Sequence, residues 1–210
     1  MIVAFIGVSG SGKDYRKELL LGDGYFGVDF KDELLDMASD LVGFDVRRNY
    51  DYFKENIVGL TVHDPRPYAP CMNYPAHTVT AEILAQYPKA LTGRVLLQRL
   101  GTEVMRKRDE RYWTKAWKEK AKGILEMGHN VAVADCRFGN EVAEIVSLAE
   151  ELDVPYKLVF CEYHSKRYNP NMLHESEAMA QGLLKMGYKD GQEIGEPGVL
   201  YKMEAEAYGR

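Results

Sequence analysis

The stretch Gly7-Val8-Ser9-Gly10-Ser11-Gly12-Lys13-Asp14 decides how the rest of the chain is interpreted. It follows the apolar run 2–6, which predicts a strand, and precedes residues 15–21, which predict a helix. Strand, glycine-rich loop and helix, in this order, are typical of a phosphate-binding loop. The glycines let successive backbone N–H groups converge on phosphate oxygens, and Lys13 would place an ammonium on the outer phosphates. The alternative is a glycine-rich turn without a ligand.

Asp14 departs from the common form of such a loop. A Ser or Thr hydroxyl usually stands at this position and contacts Mg²⁺. A carboxylate is also an oxygen ligand, so Asp14 would bind the metal directly or through water. It would equally serve as an anion at the N-terminus of the following helix, and both interpretations stay open.

The size and composition of the chain favour one α/β domain with an ample core. The chain has 210 residues, of which 46% are hydrophobic. No apolar run approaches the roughly 20 residues needed to span a bilayer, so no membrane partner is expected. The first strand begins at once, without a charged region or a cleavage site, so we expect no signal peptide.

Charge and cysteine usage bear on partners and compartment. The net charge of −5 disfavours a broad nucleic-acid-binding surface, so nucleic acid is not an expected partner. Cys71, Cys136 and Cys161 are an odd, scattered set without a C-x-x-C spacing, which indicates reduced thiols in a cytoplasm. The sequence leaves the oligomeric state open between a monomer and a homodimer.

Residues 92–107 predict an amphipathic helix whose polar side has two interpretations. At about 100° per residue, the apolar side gathers Leu96, Leu97, Leu100 and Val104. The opposite side gathers Arg94, Gln98, Thr102 and Arg106. A solvated face explains this polar set, and so does a helix lining a cleft for an anion. Residue types alone do not decide between them.

The apolar run 130–135 predicts a strand that ends in Asp135. In open α/β sheets, ligands bind beyond the carboxyl ends of strands, where a carboxylate would hold Mg²⁺ or its water. The alternative for Asp135 is a helix cap or a turn residue. In a still-extended chain Arg137 would point to the same face as Asp135, and its anionic partner without substrate would be Asp135 or Glu141.

The remaining segments complete a coarse outline. Trp113 and Trp117 stand at core spacing in a helix predicted over 111–127. Further helices are predicted at 29–42, 140–152 and 176–186, strands at 25–28 and 156–161, and an extended proline-rich loop at 64–75. His174 has no partner at metal-ligand spacing, so it is interpreted as structural or substrate-contacting.

An ordered set of motifs resembles the phage-type deoxynucleoside monophosphate kinases, a branch of the P-loop kinases. The motifs are G-x4-G-K-D at 7–14, F-G-V-D-F-K at 26–31, which is similar to the family's F-A-D-x-L-K, and L-L-Q-R-L-G-T-E at 96–103, followed by Trp113. Further along the chain are D-x-R-F-x-N-E at 135–141 and H-x-S-E at 174–177. After Glu177 the chain lacks the asparagine-glycine strand ending that the family shows.

The resemblance implies a P-loop NTPase-type three-layer α/β fold with a mostly parallel sheet flanked by helices. It implies a single kinase domain over 1–210, with acceptor-binding insertions at about 29–110 and a lid loop at about 163–176. The implied activity is ATP-dependent phosphorylation of a deoxynucleoside 5′-monophosphate to the diphosphate, for deoxynucleotide synthesis. The implied compartment is the cytoplasm, which is the host's if a phage encodes the chain.

The same resemblance assigns roles to particular residues, with ATP and Mg²⁺ as cofactors. The catalytic set is Lys13, Asp135, Arg137 and the lid residue Arg167. ATP binding is assigned to Gly7, Ser9, Gly10, Ser11, Gly12, Lys13 and Asp14. Acceptor binding is assigned to Asp29, Lys31, Arg94, Gln98, Arg106, Arg137 and Glu141. The metal is assigned to Asp14 and Asp135.

Three other functions stay open. The same fold would phosphorylate another acceptor, either a modified deoxynucleotide within DNA or phosphomevalonate, although the acidic balance argues against DNA. A nucleotide-hydrolysing switch would bind ATP without an acceptor and move a partner protein. A purely structural domain would leave the glycine loop and Asp135 unexplained.

Overall fold

A computed structural model describes residues 1–60, 91–163, 177–195, 197–198 and 200. The proline-rich loop, Cys71, Arg167, His174 and the lid loop from residue 164 onward lie outside these residues. The chain divides into two compact units. The first unit comprises Met1–Phe30 with Trp117–Arg210, and the second comprises Lys31–Ala116.

The regular elements alternate between strand and helix over much of the chain. In chain order they are β1 (Ile2–Ile6), α1 (Lys13–Gly22), β2 (Tyr25–Gly27), α2 (Asp32–Val42), α3 (Tyr50–Glu55), β3 (Ile57–Val58), β4 (Leu91–Thr92), α4 (Gly93–Gln98), α5 (Tyr112–Glu126), β5 (Asn130–Val133), α6 (Gly139–Glu151), β6 (Tyr156–Phe160) and α7 (Ala178–Lys185). A short 3₁₀ helix spans Val46–Asn49, and a π-helix spans Arg99–Arg106.

The first unit is built on a four-stranded sheet in the order β2-β5-β1-β6, with every pairing parallel. All five residues of β1 are buried, as expected for a strand covered on both faces. Ile2, Ala4 and Ile6 join a core cluster with side chains of α5 and α6. Val3 and Phe5 join a separate cluster in which Leu20 of α1 packs. Helices therefore cover both faces of the sheet, which confirms the predicted α/β class with a mostly parallel sheet flanked by helices.

The two tryptophans are core residues, as predicted. In the first unit, Trp117 stacks on Phe30 with 4.8 Å between ring centroids, and its indole N–H donates to Val28 O. In the second unit, Trp113 is buried and its indole N–H donates to Gly101 O at 2.9 Å. Both side chains thus bury a large apolar surface while their one polar atom is satisfied.

Helix α2 begins later than predicted. The expectation was a helix from residue 29, but the first helical residue is Asp32. Asp29 and Phe30 are held by the end of the neighbouring strand: Phe30 N–H donates to Asp135 Oδ1, and Asp29 Oδ1 accepts from Ala134 N–H. These long-range hydrogen bonds override a helical pattern in the local sequence.

The second unit contains the amphipathic segment, and here the prediction of one α-helix over 92–107 is wrong in detail. Helix α4 ends at Gln98 and a π-helix follows. Its i→i+5 bonding changes the angle per residue, so the 100° projection fails beyond Gln98. The division into two sides nevertheless holds, because Leu96, Leu100 and Val104 are buried while the residues of the polar set are exposed or half-buried.

The residues after α7 add an antiparallel segment along β6 that the sequence did not predict. Gly191 N–H donates to Phe160 O and Ile194 N–H donates to Leu158 O, both at 2.8 Å. Ile194 enters the same core cluster as β1. Within the described ranges, no helix is long and apolar enough to cross a lipid bilayer.

Candidate phosphate site

The loop between β1 and α1 needs its glycines for its backbone path. Gly10 and Gly12 have φ of 77° and 80°, in the left-handed region that favours glycine. At Gly7, a side chain would collide with the carbonyl oxygen of Cys161, on the chain leaving β6. The loop is therefore packed against the end of β6 and turned so that α1 begins at Lys13.

Lys13 is folded back into this loop. Its Nζ donates to Gly7 O at 2.5 Å, to Val8 O at 2.7 Å and to Ser11 Oγ at 3.4 Å. The pKa of Lys13 is lowered to about 8. Burial is the main cause, and the positive charge of Arg137 also lowers this pKa, whereas the negative charges of Glu177 and Asp14 raise it. The ammonium is thus a desolvated cation whose local partners are neutral oxygens.

The order of the strands brings the loop and Asp135 to one place. The chain leaves β1 and crosses β5 to reach β2, and it leaves β5 and crosses β1 to reach β6. Adjacent parallel strands whose connections diverge in this way leave a crevice beyond their carboxyl ends, which is where open α/β sheets bind ligands. The glycine loop follows β1, and Asp135 follows β5.

Asp29 and Asp135 link the ends of β2 and β5 reciprocally. Each carboxylate accepts a backbone N–H from the other strand's continuation at 2.9 Å, Asp29 from Ala134 and Asp135 from Phe30. Lys17 Nζ lies 2.5 Å from Asp29 Oδ2, and the ion pair is nearly buried. The sequence did not single out Lys17, although its position one turn after Lys13 on α1 was a usable signal.

Arg137 pairs with Glu177, a contact that the sequence did not predict. Its NH1 lies 3.2 Å from Glu177 Oε1, while Glu177 Oε2 accepts the backbone N–H of Ser9 at 2.8 Å. Glu141 accepts the backbone N–H groups of Arg137 and Phe138, so it satisfies donors at the N-terminus of α6. Glu177 belongs to the H-x-S-E motif, and that membership was the only signal for it in the sequence.

A pocket of about 770 Å³ adjoins the outer side of the loop. Its lining residues are Gly10, Gly12, Asp14, Tyr15, Arg16, Leu19 and Tyr163. The side chains of Tyr15 and Tyr163 are largely exposed, and Arg16 forms an ion pair with Asp190. The pocket therefore combines aromatic surface with direct access to the glycine loop.

Four of the predicted acceptor-binding residues belong to the second unit. Arg94 and Gln98 are exposed on α4, Arg106 is half-buried at the end of the π-helix, and Lys31 immediately precedes α2. Arg94 forms an ion pair with Glu55. The other predicted residues with described positions lie in the first unit, and Arg167 lies outside the described residues.

The two residues proposed from sequence as metal ligands differ in environment. Asp14 is exposed in the first turn of α1, and Asp135 is buried at the end of β5. Among the residues that the structure describes, no group of three or more His, Cys, Asp or Glu side chains is arranged to hold a metal ion. Mg²⁺ at phosphate sites is bound through one or two carboxylates together with the phosphates, which is the donor set that Asp14 and Asp135 offer.

No protein-family model and no curated protein matches this sequence.

Proposed function

We propose that the chain is a P-loop kinase that uses ATP to phosphorylate a deoxynucleoside 5′-monophosphate to the diphosphate. The observation that carries this proposal is the glycine loop with its buried Lys13, located at the divergence of β1 and β5 beside Asp135. The ordered motifs of the sequence supply the choice of a kinase and of its acceptor class. Phosphoryl transfer depends mainly on alignment and on neutralising charge, and these are the properties that such a loop provides.

The donor end of the reaction is assigned to the loop and its pocket. Backbone N–H groups at the start of α1 would bind the phosphates of ATP, and Lys13 would exchange its carbonyl partners for phosphate oxygens. The anionic phosphates would then restore the pKa of Lys13 toward its ordinary value. The pocket lined by Tyr15 and Tyr163 is large enough for a nucleoside and offers aromatic surface for stacking on a base.

Mg²⁺ would be held by Asp135 and Asp14, and it would neutralise the charge of the phosphate oxygens. Within the chain, the hydrogen bond that Phe30 N–H donates to Asp135 fixes this carboxylate at the end of β5. The Lys17–Asp29 ion pair supports the same edge from α1. The hydrogen bond from Phe30 thus orients the Asp135 carboxylate without relying on a bound ion.

The acceptor end of the reaction is assigned to arginines. Arg137 follows Asp135 at the mouth of the crevice, and its guanidinium is suited to a bidentate contact with the phosphate of a monophosphate. Arg94, Gln98, Arg106 and Lys31 are the further candidates that the resemblance implies. Arg167 stays a prediction for a lid residue that closes over the transferring group.

A steady-state assay tests this proposal. Purified protein would be incubated with ATP and Mg²⁺ and with each deoxynucleoside monophosphate in turn, with phosphomevalonate, with oligonucleotides or with no acceptor. We expect diphosphate formation with at least one monophosphate and its loss in Lys13→Met. Turnover only with phosphomevalonate or DNA would select the other acceptor class. Acceptor-independent hydrolysis alone would favour the switch, and the absence of any ATP-dependent reaction would refute the kinase.

A further inference from the structure

Glu177 is a buried carboxylate with an unusual use for its position. It occupies the N-cap of α7, but its side chain makes no capping hydrogen bond to that helix. Only 3% of the side chain is exposed. Its two oxygens instead bind Ser9 N–H in the phosphate loop and the Arg137 guanidinium beyond β5.

We infer that Glu177 is a positioning residue of the phosphate site, which fixes the loop and aims Arg137 at the incoming phosphate. This inference rests on the proposed function. A carboxylate this deeply buried costs free energy unless it is paired, so its two contacts hold Ser9 and Arg137 firmly. A guanidinium has five N–H donors, so pairing with Glu177 is compatible with a contact to phosphate.

The charges around the loop agree with this role. Arg137 disfavours the protonated form of Lys13, whereas Glu177 favours it. Without the carboxylate, the buried Lys13 would lose an interaction that offsets the repulsion from Arg137, which disfavours the charge on Lys13. Glu177 therefore lets a buried ammonium and a guanidinium share one site before any phosphate arrives.

In a different role, the Glu177 carboxylate would occupy the place of a phosphate, and a ligand would have to displace it. The two roles predict opposite effects of the Glu177 charge on phosphate binding. A positioning carboxylate is only partly replaced by glutamine, which keeps one acceptor oxygen, for Ser9 or for Arg137, and loses the charge. A competing anion is removed by glutamine, which would strengthen the binding of phosphate.

The test measures the binding of inorganic tripolyphosphate by calorimetry. We expect Glu177→Ala to weaken binding about tenfold, on the scale of one charged hydrogen bond, and Glu177→Gln to weaken it about threefold, because glutamine keeps one of the two contacts. Glu144→Ala is the matched control, since Glu144 is also buried and paired with a lysine, Lys118, but lies on α6. It should leave tripolyphosphate binding unchanged. Tighter binding by Glu177→Gln, or unchanged binding by Glu177→Ala, would overturn the inference.

A kinetic cycle tests the link to Arg137 separately. Glu177→Ala should lower kcat/KM for the monophosphate about tenfold, and about twofold or less once Arg137→Ala is present. Equal losses in both backgrounds would contradict positioning through Arg137. If Glu177→Ala does not fold, Glu177→Asp keeps the charge but shortens the reach, and it should weaken binding at least as much as Glu177→Gln. If the wild-type protein does not bind tripolyphosphate, or if Lys13→Met binds it as tightly as the wild type, the phosphate site itself is refuted and not only the role of Glu177.

Discussion

The lowered pKa of Lys13 predicts that polyphosphate binding weakens as the pH rises above 8. The ammonium is held by carbonyl and hydroxyl oxygens in a buried loop, and its pKa falls to about 8 from an ordinary value of 10.5. A phosphate ligand binds the protonated form. Above pH 8 the protein therefore has to take up a proton on binding, and the apparent affinity drops.

The size of the effect follows from the protonated fraction. With a pKa of about 8, roughly 76% of Lys13 is charged at pH 7.5 and roughly 9% at pH 9, so the affinity falls about eightfold. A lysine with an ordinary pKa would stay charged over this range. At pH 8, binding would take up about half a proton, which is visible as a dependence of the binding enthalpy on the buffer.

Calorimetry with inorganic tripolyphosphate at pH 7.5, 8 and 9, in two buffers of different ionisation enthalpy, measures both quantities. Lys13→Met serves as the reference; it should bind weakly, and it reports the contribution from the ionisation of tripolyphosphate itself. A ratio of wild-type to Lys13→Met affinity that stays constant from pH 7.5 to 9, with no extra proton uptake by the wild type, would show that Lys13 is fully charged and that burial does not act on it as described.

The same shift has a consequence for stability that needs no ligand. The folded-state pKa lies below the unfolded value, so the protonated amine destabilises the fold below pH 8, and this cost is relieved as the pH rises toward 10.5. The free energy of unfolding of wild type relative to Lys13→Met should therefore rise by about 3 kcal/mol across that window. Urea unfolding at pH 7.5 and pH 10 tests the sign.

Three substitutions separate the metal, the loop and the acceptor. Asp135→Asn should reduce Mg²⁺-dependent turnover more than ATP binding, and unchanged metal dependence in a magnesium titration would leave Asp135 as a structural residue. Asp14→Ser restores the commoner hydroxyl and should keep partial activity; complete inactivity would give the carboxylate a separate role. Arg137→Ala should lower kcat/KM for the monophosphate by about 2–4 kcal/mol with a much smaller change for ATP. A lower Tm with normal acceptor kinetics would make Arg137 structural.

The sheet of the first unit was predictable because its signal is local. A buried parallel strand appears in sequence as a continuous apolar run; Ile2–Ile6 is such a run, and Asn130–Val133 is apolar and buried after its first residue. The turn of the loop at Gly10 and Gly12 was equally predictable, since the left-handed backbone at these positions admits few residues other than glycine. In both cases the residue types are set by requirements within a few positions along the chain.

What the sequence did not predict depends on contacts between distant segments. Glu177 accepts a hydrogen bond from Ser9 N–H although the two residues are 168 positions apart in the sequence, and no spacing or periodicity predicts such a pair. The start of α2 was misplaced because Asp29 is captured by the end of β5. The π-helix after Gln98 was missed because an apolar repeat of three and four residues does not distinguish it from an α-helix.

The position of β1 in the sheet has a consequence for synthesis of the chain. Both of its neighbours, β5 and β6, emerge from the ribosome much later than β1 itself, after the whole of the second unit. The apolar strand β1 therefore lacks both of its neighbouring strands while Lys31–Ala116 is synthesised. Such delayed parallel pairing slows folding and exposes a segment that is prone to aggregation. We therefore expect β1 to stay unpaired in the nascent chain until β5 and β6 have been made.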